Sequence, residues 1–293
     1  MEIIMKTLII FFLLLGTSLF PQITGNSVID QNYNSLRQPG TTKISLSDST
    51  FIIQANVLMN TIADSYVAVF GVSESAKTLA DANTNIDKRI QDFISALTKT
   101  GIAKSDIFVD MTTQTQLADY KITGNYAEQY IAGFEQKKNV IVKFIKIGEL
   151  EKMLSIASEY GIYDLVKVDY IVNDLTPVYS KLFEAAMEII NTKKKLYLSA
   201  TGLKLLPASQ VYGESFTGYY PNQMYKSYTP NVTSELYTYY DDSKFRKKDL
   251  KKNTTYYYEK VSHSYFDKVL NPVVTEPAVG FVLTLQIKYE IEK

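Results

Sequence analysis

The chain has 293 residues, 46% of them apolar and 21% charged, with no cysteine and a single histidine, His263. That inventory excludes a cysteine nucleophile, a thiolate zinc site, an iron–sulfur cluster and a multi-histidine metal site. Thirty-one basic side chains balance 31 acidic ones, so no global field draws the protein to nucleic acid.

The chain opens on a segment that reads as an export signal. Lys6 supplies a basic start, Leu8 to Leu15 is an unbroken apolar run, and Gly16, Thr17 and Ser18 suit cleavage after about Ser18. Residues 1–18 are therefore expected to be removed as a signal peptide, leaving no membrane span in the mature chain. A buried strand and a retained anchor helix are the alternatives. No cysteine follows the run, which excludes lipid attachment there. Residues 19–45, rich in Asn, Ser, Gln and Thr with Pro39-Gly40, read as a flexible lead-in.

Phe51 to Met59 and Tyr66 to Val72 carry short β-branched and apolar runs, as paired strands do, with Ala63 and Asp64 at the turn. Leu79, Ala82, Ile86, Ile90, Phe93 and Leu97 then form one helical stripe, begun by a capping box of Thr78 with Asp81 and stopped by Gly101. Ile107 to Leu117 returns to strand alternation, followed by a polar link through Gly124 and Asn125 and a strand from Val140 to Ile147. A second helix turns Leu150, Met153, Leu154 and Ala157 inward and stops at Gly161; Leu165 to Val172 is a further strand. The third helix is expected to take Thr176 as N-cap and Pro177 at its first position, with Leu182, Ala185, Ile189 and Leu196 inward and Gly202 as its stop. Lys193, Lys194 and Lys195 suit the C-terminal half of its dipole. Leu205 to Tyr212 and Val279 to Ile291 complete the strands, the last with Phe281, Leu283, Leu285 and Ile287 in phase. The order ββ-α-ββ-α-β-α-β predicts an α+β fold of mixed sheets with helices packed against them.

These words in this order resemble the SIMPL-domain family, and within it the exported bacterial branch that includes periplasmic immunogenic and oxidative-stress-defence proteins. The resemblance rests on Val69 to Ala82, on Leu97 to Ile107, and on the dyad Gly133-Phe134 with Val140 to Phe144, Tyr160-Gly161 and the strand to Asp174. It covers about Phe51 to Glu214 and resumes from about Val273 to Glu290. Two departures stand out: Gln54-Ala55-Asn56 where the family's first strand carries glycines, and Ala63-Asp64 in place of a Pro-Asp pair. The resemblance implies an exported, homo-oligomeric, non-enzymatic protein with an envelope or oxidative-stress-related role, in the periplasm or else at the cell surface or secreted. It carries no catalytic residue and no cofactor. Residues 46–291 are thus expected to form one SIMPL-like domain, with an insertion at about 215–272.

Twelve of the 23 tyrosines fall between Tyr212 and Tyr265, interleaved with Lys244, Arg246, Lys247, Lys248, Lys251 and Lys252. Tyrosine offers a large rigid ring with a polar tip, suited to protein or glycan surfaces. The candidate contact surface is Tyr219, Tyr220, Tyr239, Tyr240, Lys247, Lys248, Tyr256, Tyr257 and Tyr258. It would serve a homo-oligomer contact or an unknown protein or glycan partner; a hairpin that merely covers the domain is the competing reading. Nucleic acid is disfavoured by export and zero net charge. Asn231-Val-Thr233 and Asn253-Thr-Thr255 match the glycosylation sequon by chance in so Asn-rich a chain.

Catalysis finds little support. His263 lies between Ser262 and Ser264 with Asp267 nearby, but a triad converges from separate elements rather than from sequence neighbours. Asp241-Asp242 is too few oxygens for calcium, no metal-ligand spacing occurs, and no glycine-rich phosphate loop follows a strand.

Overall fold

A computed structural model describes residues 45–47, 49–228, 254–273 and 275–292. The proposed signal peptide and most of the lead-in lie outside these residues. The chain divides into a main unit, Ser35–Tyr225 with Tyr258–Lys293, and a smaller one whose described part is 226–228 and 254–257.

In the main unit, β1 (Ser45–Leu46), β2 (Thr50–Thr61) and β3 (Ser65–Ala76) lead to α1 (Leu79–Lys99). The long strands β4 (Ile107–Thr123) and β5 (Tyr126–Phe144) precede α2 (Glu149–Glu159), β6 (Asp164–Ile171) and α3 (Thr176–Thr201). Then comes β7 (Leu205–Tyr219); β8 (Tyr225–Tyr228) and β9 (Thr255–Tyr258) belong mostly to the smaller unit, and β10 (Lys268–Leu270) and β11 (Val279–Ile291) to the main one. This is the expected α+β fold. One sheet runs β1-β2-β11-β7, with β10 parallel to β2; a second, all antiparallel, runs β4-β5-β3-β6; β8 pairs with β9 in a separate ribbon.

A single apolar core joins both larger sheets. Ile53, Ala55, Val57 and Met59 of β2 lie opposite Ile287, Leu285, Leu283 and Phe281 of β11, so the period-two pattern puts all eight on the face that α3 covers with Leu182, Ala186 and Ile190. In the other sheet Phe70 meets Phe93 of α1 edge-on, with ring centroids 5.4 Å apart. Thr78 caps α1 as expected: its Oγ1 accepts the Asp81 N–H at 3.1 Å. Gly101, at φ 104°, takes the left-handed turn that ends it.

Several local expectations are corrected. The polar link at Gly124-Asn125 is the two-residue turn of one long hairpin, because β4 continues to Thr123 and β5 starts at Tyr126 rather than Val140. Thr176 is not the N-cap; Leu175 is, and the Asp174 carboxylate accepts the Thr176 N–H at 2.9 Å. Leu154 and Leu196 are exposed, since α2 turns Met153 and Ala157 inward and the buried residues of α3 end at Ile190. β6 does not alternate throughout: its register against β3 shifts at Val69/Phe70, leaving Val166 as the extra, exposed residue of a bulge.

The lysines of α3 are also corrected. The last turn of the helix holds no basic residue. Lys193 instead reaches the edge of β2 in the stretch that neither β1 nor β10 pairs, donating to Gln54 O at 2.9 Å and to the Asp267 carboxylate at 2.6 Å. Asp267 accepts the Asn56 N–H at 2.8 Å and returns its own N–H to Asn56 O. The Lys194 ammonium lies 4.7 Å from the ring centre of Tyr289. The ends of the 215–272 stretch are thus built into the first sheet, through β7 up to Tyr219 and through Asp267 and β10.

Lys193→Met is expected to cost about 2–3 kcal/mol in urea unfolding, because it strands a carboxylate of which the pair leaves only 17% and 15% of the two side chains exposed. A loss below about 0.5 kcal/mol would show that the β2 edge does not need the pair. Gly133→Ala is expected to cost about 2 kcal/mol, since its Cβ would lie 2.6 Å from the Ala76 carbonyl oxygen. Gly148→Ala, with open space around it, is the neutral control.

Candidate functional site

The tyrosines singled out in sequence do not form one surface. Tyr220 packs edge-on against Phe281 of β11 at 6.4 Å, and Tyr219 pairs with Gly280 in the sheet. Tyr258 is partly buried and donates its hydroxyl to Ala278 O at 3.0 Å. Tyr256, 69% exposed, and its neighbour Tyr257 lie on the β9 ribbon with their rings open to solvent. Tyr239, Tyr240, Lys247 and Lys248 lie outside the described residues.

The root of the Tyr-rich stretch is a phenol cluster in the main unit. Tyr66 of β3 stacks on Phe144 at 5.3 Å and meets Tyr170 of β6 edge-on at 5.2 Å. Tyr225 lies 5.9 Å from Tyr258, and the two phenols of Tyr170 and Tyr225 share a hydrogen bond. Burial pushes the Tyr170 hydroxyl well above its ordinary range, and the Tyr225 phenol adds to the shift. Burial also raises Tyr66, Tyr258 and Tyr289. Such phenols stay protonated and serve as hydrogen-bond donors and packing groups rather than as bases.

His263 opens a short 3-10 turn, His263–Tyr265. The flanking serines serve each other: Ser262 Oγ accepts the Ser264 N–H and donates to Ser264 Oγ. Asp267 is committed to Asn56 and Lys193. Among the described residues, Ser262, His263 and Asp267 do not assemble a relay. Among the described residues there is no group of three or more His, Asp or Glu side chains that could hold a metal ion. A groove of about 360 Å³ lies between α3 and β10, crossed by the Lys268–Glu188 pair at 2.7 Å. Its other charged groups, Lys181 and Glu184, offset each other, and its lining holds no serine, threonine or histidine.

The feature that sequence reasoning missed is an arm. Beyond the end of β3 at Ala76, opposite Phe134, the β4–β5 hairpin continues alone to its turn at Gly124. Register puts Ala118, Tyr120 and Ile122 on the same face as Ile131, Gln129 and Ala127, a face without a charge. Tyr120, Ile122 and Ile131 are 59%, 76% and 57% exposed. The opposite face carries Asp119, Lys121 and Glu128 with Tyr126 and Tyr130.

The element order from β2 to β8 is also what the comparison with known families recognises: residues 54–245 match SIMPL, described as "Protein of unknown function (DUF541)". The chain belongs to the SIMPL family. The match takes in the arm and α1, α2 and α3, and it runs past Glu214 into the Tyr-rich stretch. No curated protein matches the chain. Among the described residues of this SIMPL chain, no helix is long and apolar enough to cross a membrane.

The buried phenols fix the sign of the alkaline response. A pKa raised above the ordinary 10.0 in the folded state favours the protonated fold, so that stability is intact below pH 10 and is lost as pH rises beyond it. The melting temperature is expected to hold from pH 7 to about 9 and fall above about 10, with Tyr170→Phe shallower in that fall. An equal alkaline slope in Tyr170→Phe would contradict the assignment.

Proposed function

We propose that this SIMPL protein is exported to the periplasm, is non-enzymatic, and works as a homo-oligomer in an envelope or oxidative-stress-related role. The export-type segment at residues 6–18 supports the address. On this reading residues 1–18 are removed, 19–45 lead in, and 46–291 form the working domain. The observation that carries the assembly role is the arm: an uncharged face of exposed large side chains on a ribbon that the body does not cover. The lack of cysteine and the commitment of Ser262 and Asp267 to other partners favour assembly over catalysis.

Light scattering on the mature chain is expected to give a mass that is a multiple of the monomer's; a strictly monomeric protein at every concentration would contradict the assembly role. Intact mass of the exported protein should lack about the first 18 residues, and a full-length mass in the soluble periplasmic fraction would contradict the leader. Loss of the gene should sensitise cells to detergent or peroxide.

A second reading has one observation in its favour, the exposed adjacent rings of Tyr256 and Tyr257. On it, the segment presents aromatic anchors to a protein or glycan, with Tyr239, Tyr240, Lys247 and Lys248 as further contacts. Tyr256→Ala with Tyr257→Ala should then abolish capture of partner from a glycan or protein array without moving the melting temperature. Tyr258→Ala should lower that temperature, because its hydroxyl is bonded into the body.

A further inference from the structure

An unpaired strand edge is a template for another chain, and proteins blunt it with short strands, prolines, bulges, lysines or covering segments. Three edges here are blunted. β2 is covered by β1, β10 and the Lys193–Asp267 pair. β6 is eight residues long with a bulge at Val166. β7 carries Pro207 and a bulge at Tyr212, the residue skipped between Gly213 and Val211 in the register with β11. β4 is different. It is 17 residues long, holds no proline and one lysine, and after the irregularity at Met111/Thr113 runs without an extra residue of its own to Thr123.

Its outer end is also self-complementary. The sequence Leu117-Ala-Asp-Tyr-Lys-Ile-Thr123 places an acid and a base symmetrically about Tyr120. The Tyr120 N–H is donated to the Asp119 carboxylate at 2.7 Å, which marks it as an edge-facing group with a local partner in place of a strand. We propose that β4 pairs antiparallel with β4 of a second copy of this chain across a two-fold axis at Tyr120. This rests on the homo-oligomer reading above and names its interface.

In that register Tyr120 meets Tyr120 of the partner copy, Asp119 meets Lys121, Ala118 meets Ile122 and Leu117 meets Thr123. The dimer thus gains two cross-strand ion pairs in all. Lys121, already opposite Glu128 of β5, gains Asp119 on its other side, so charge alternates across three of the four joined strands and the row ends on Tyr130. The uncharged faces of both arms merge on one side. Shifting the axis by one residue sets Asp119 against Asp119 or Lys121 against Lys121, so charge selects the register. The two marginal ribbons become a four-stranded sheet, which meets the strand number that independent stability requires.

Because the chain has no cysteine, one introduced thiol reports one contact. In the mature full-length chain, Tyr120→Cys is expected to form a covalent dimer on mild oxidation, since Cα atoms of a hydrogen-bonded antiparallel pair lie about 5.5 Å apart, within disulfide reach. Asp119→Lys and Lys121→Glu should each raise the dissociation constant about tenfold by setting two pairs of like charges opposite one another. An equimolar mixture of those two variants should recover the parent's assembly, because the mixed pair again opposes unlike charges; a purely local fault would not be rescued. An oligomeric parent with no Tyr120→Cys link and no change in either charge variant overturns the edge pairing and leaves the homo-oligomer reading standing. A monomeric parent overturns both.

Discussion

Backbone donors and acceptors at a sheet edge must find partners, and in this molecule that requirement organises the fold. The decisive instance is the gap in β2 between the residues paired by β1 and those paired by β10. There the Asp267 carboxylate and the Lys193 ammonium take the place of a strand, bonding the Asn56 N–H and the Gln54 carbonyl. One ion pair thereby ties α3, the segment after the Tyr-rich stretch and the central strand of the first sheet. A charge pair with 17% and 15% of its side chains exposed loses much hydration. What offsets that loss is the set of backbone groups each partner also satisfies.

The same strand explains the departure at Gln54-Ala55-Asn56. Ala55 belongs to the core face, while Gln54 and Asn56 belong to the other face, where the Gln286 amide donates to Gln54 and Gln54 donates to Asn56. Gly213 in β7 makes room for that row: a Cβ there would lie 2.9 Å from Gln286 Oε1. Polar residues in a central strand are thus accommodated by bonding to one another. The phenol cluster around Tyr170 does similar work at the far end of β6, where Tyr170 shares a hydrogen bond with Tyr225 and Tyr225 lies beside Tyr258.

Elements whose burial follows one period were legible in the sequence: the stripe of α1 with its Thr78 cap, the strands β2 and β3, and the phase of β11. The expected pairing of β2 with β3 is corrected, because β2 joins β11 in one sheet and β3 joins β5 and β6 in the other. The arm was not, because residues 113–132 face water on both sides and so lack the apolar alternation by which a half-buried strand is recognised. Lys193 looked like an ordinary helix-end cation, since its partner Asp267 is 74 residues away in sequence. The bulges at Val166 and Tyr212 left no local sign, being defined only by the neighbouring strand. The tyrosine count was legible, but the division between anchors such as Tyr258 and open rings such as Tyr256 depends on what packs beside each.

Among the described residues, β2, β6 and β7 thus have their edges blunted, while the long edge of β4 stays open for a second copy. Amide hydrogen exchange across residues 117–123, followed over a dilution series, tests that claim most directly. Protection of the edge-facing Ala118, Tyr120 and Ile122 amides should rise with protein concentration, while amides of β7 stay unchanged. Exchange in 117–123 that is fast and independent of concentration would contradict it.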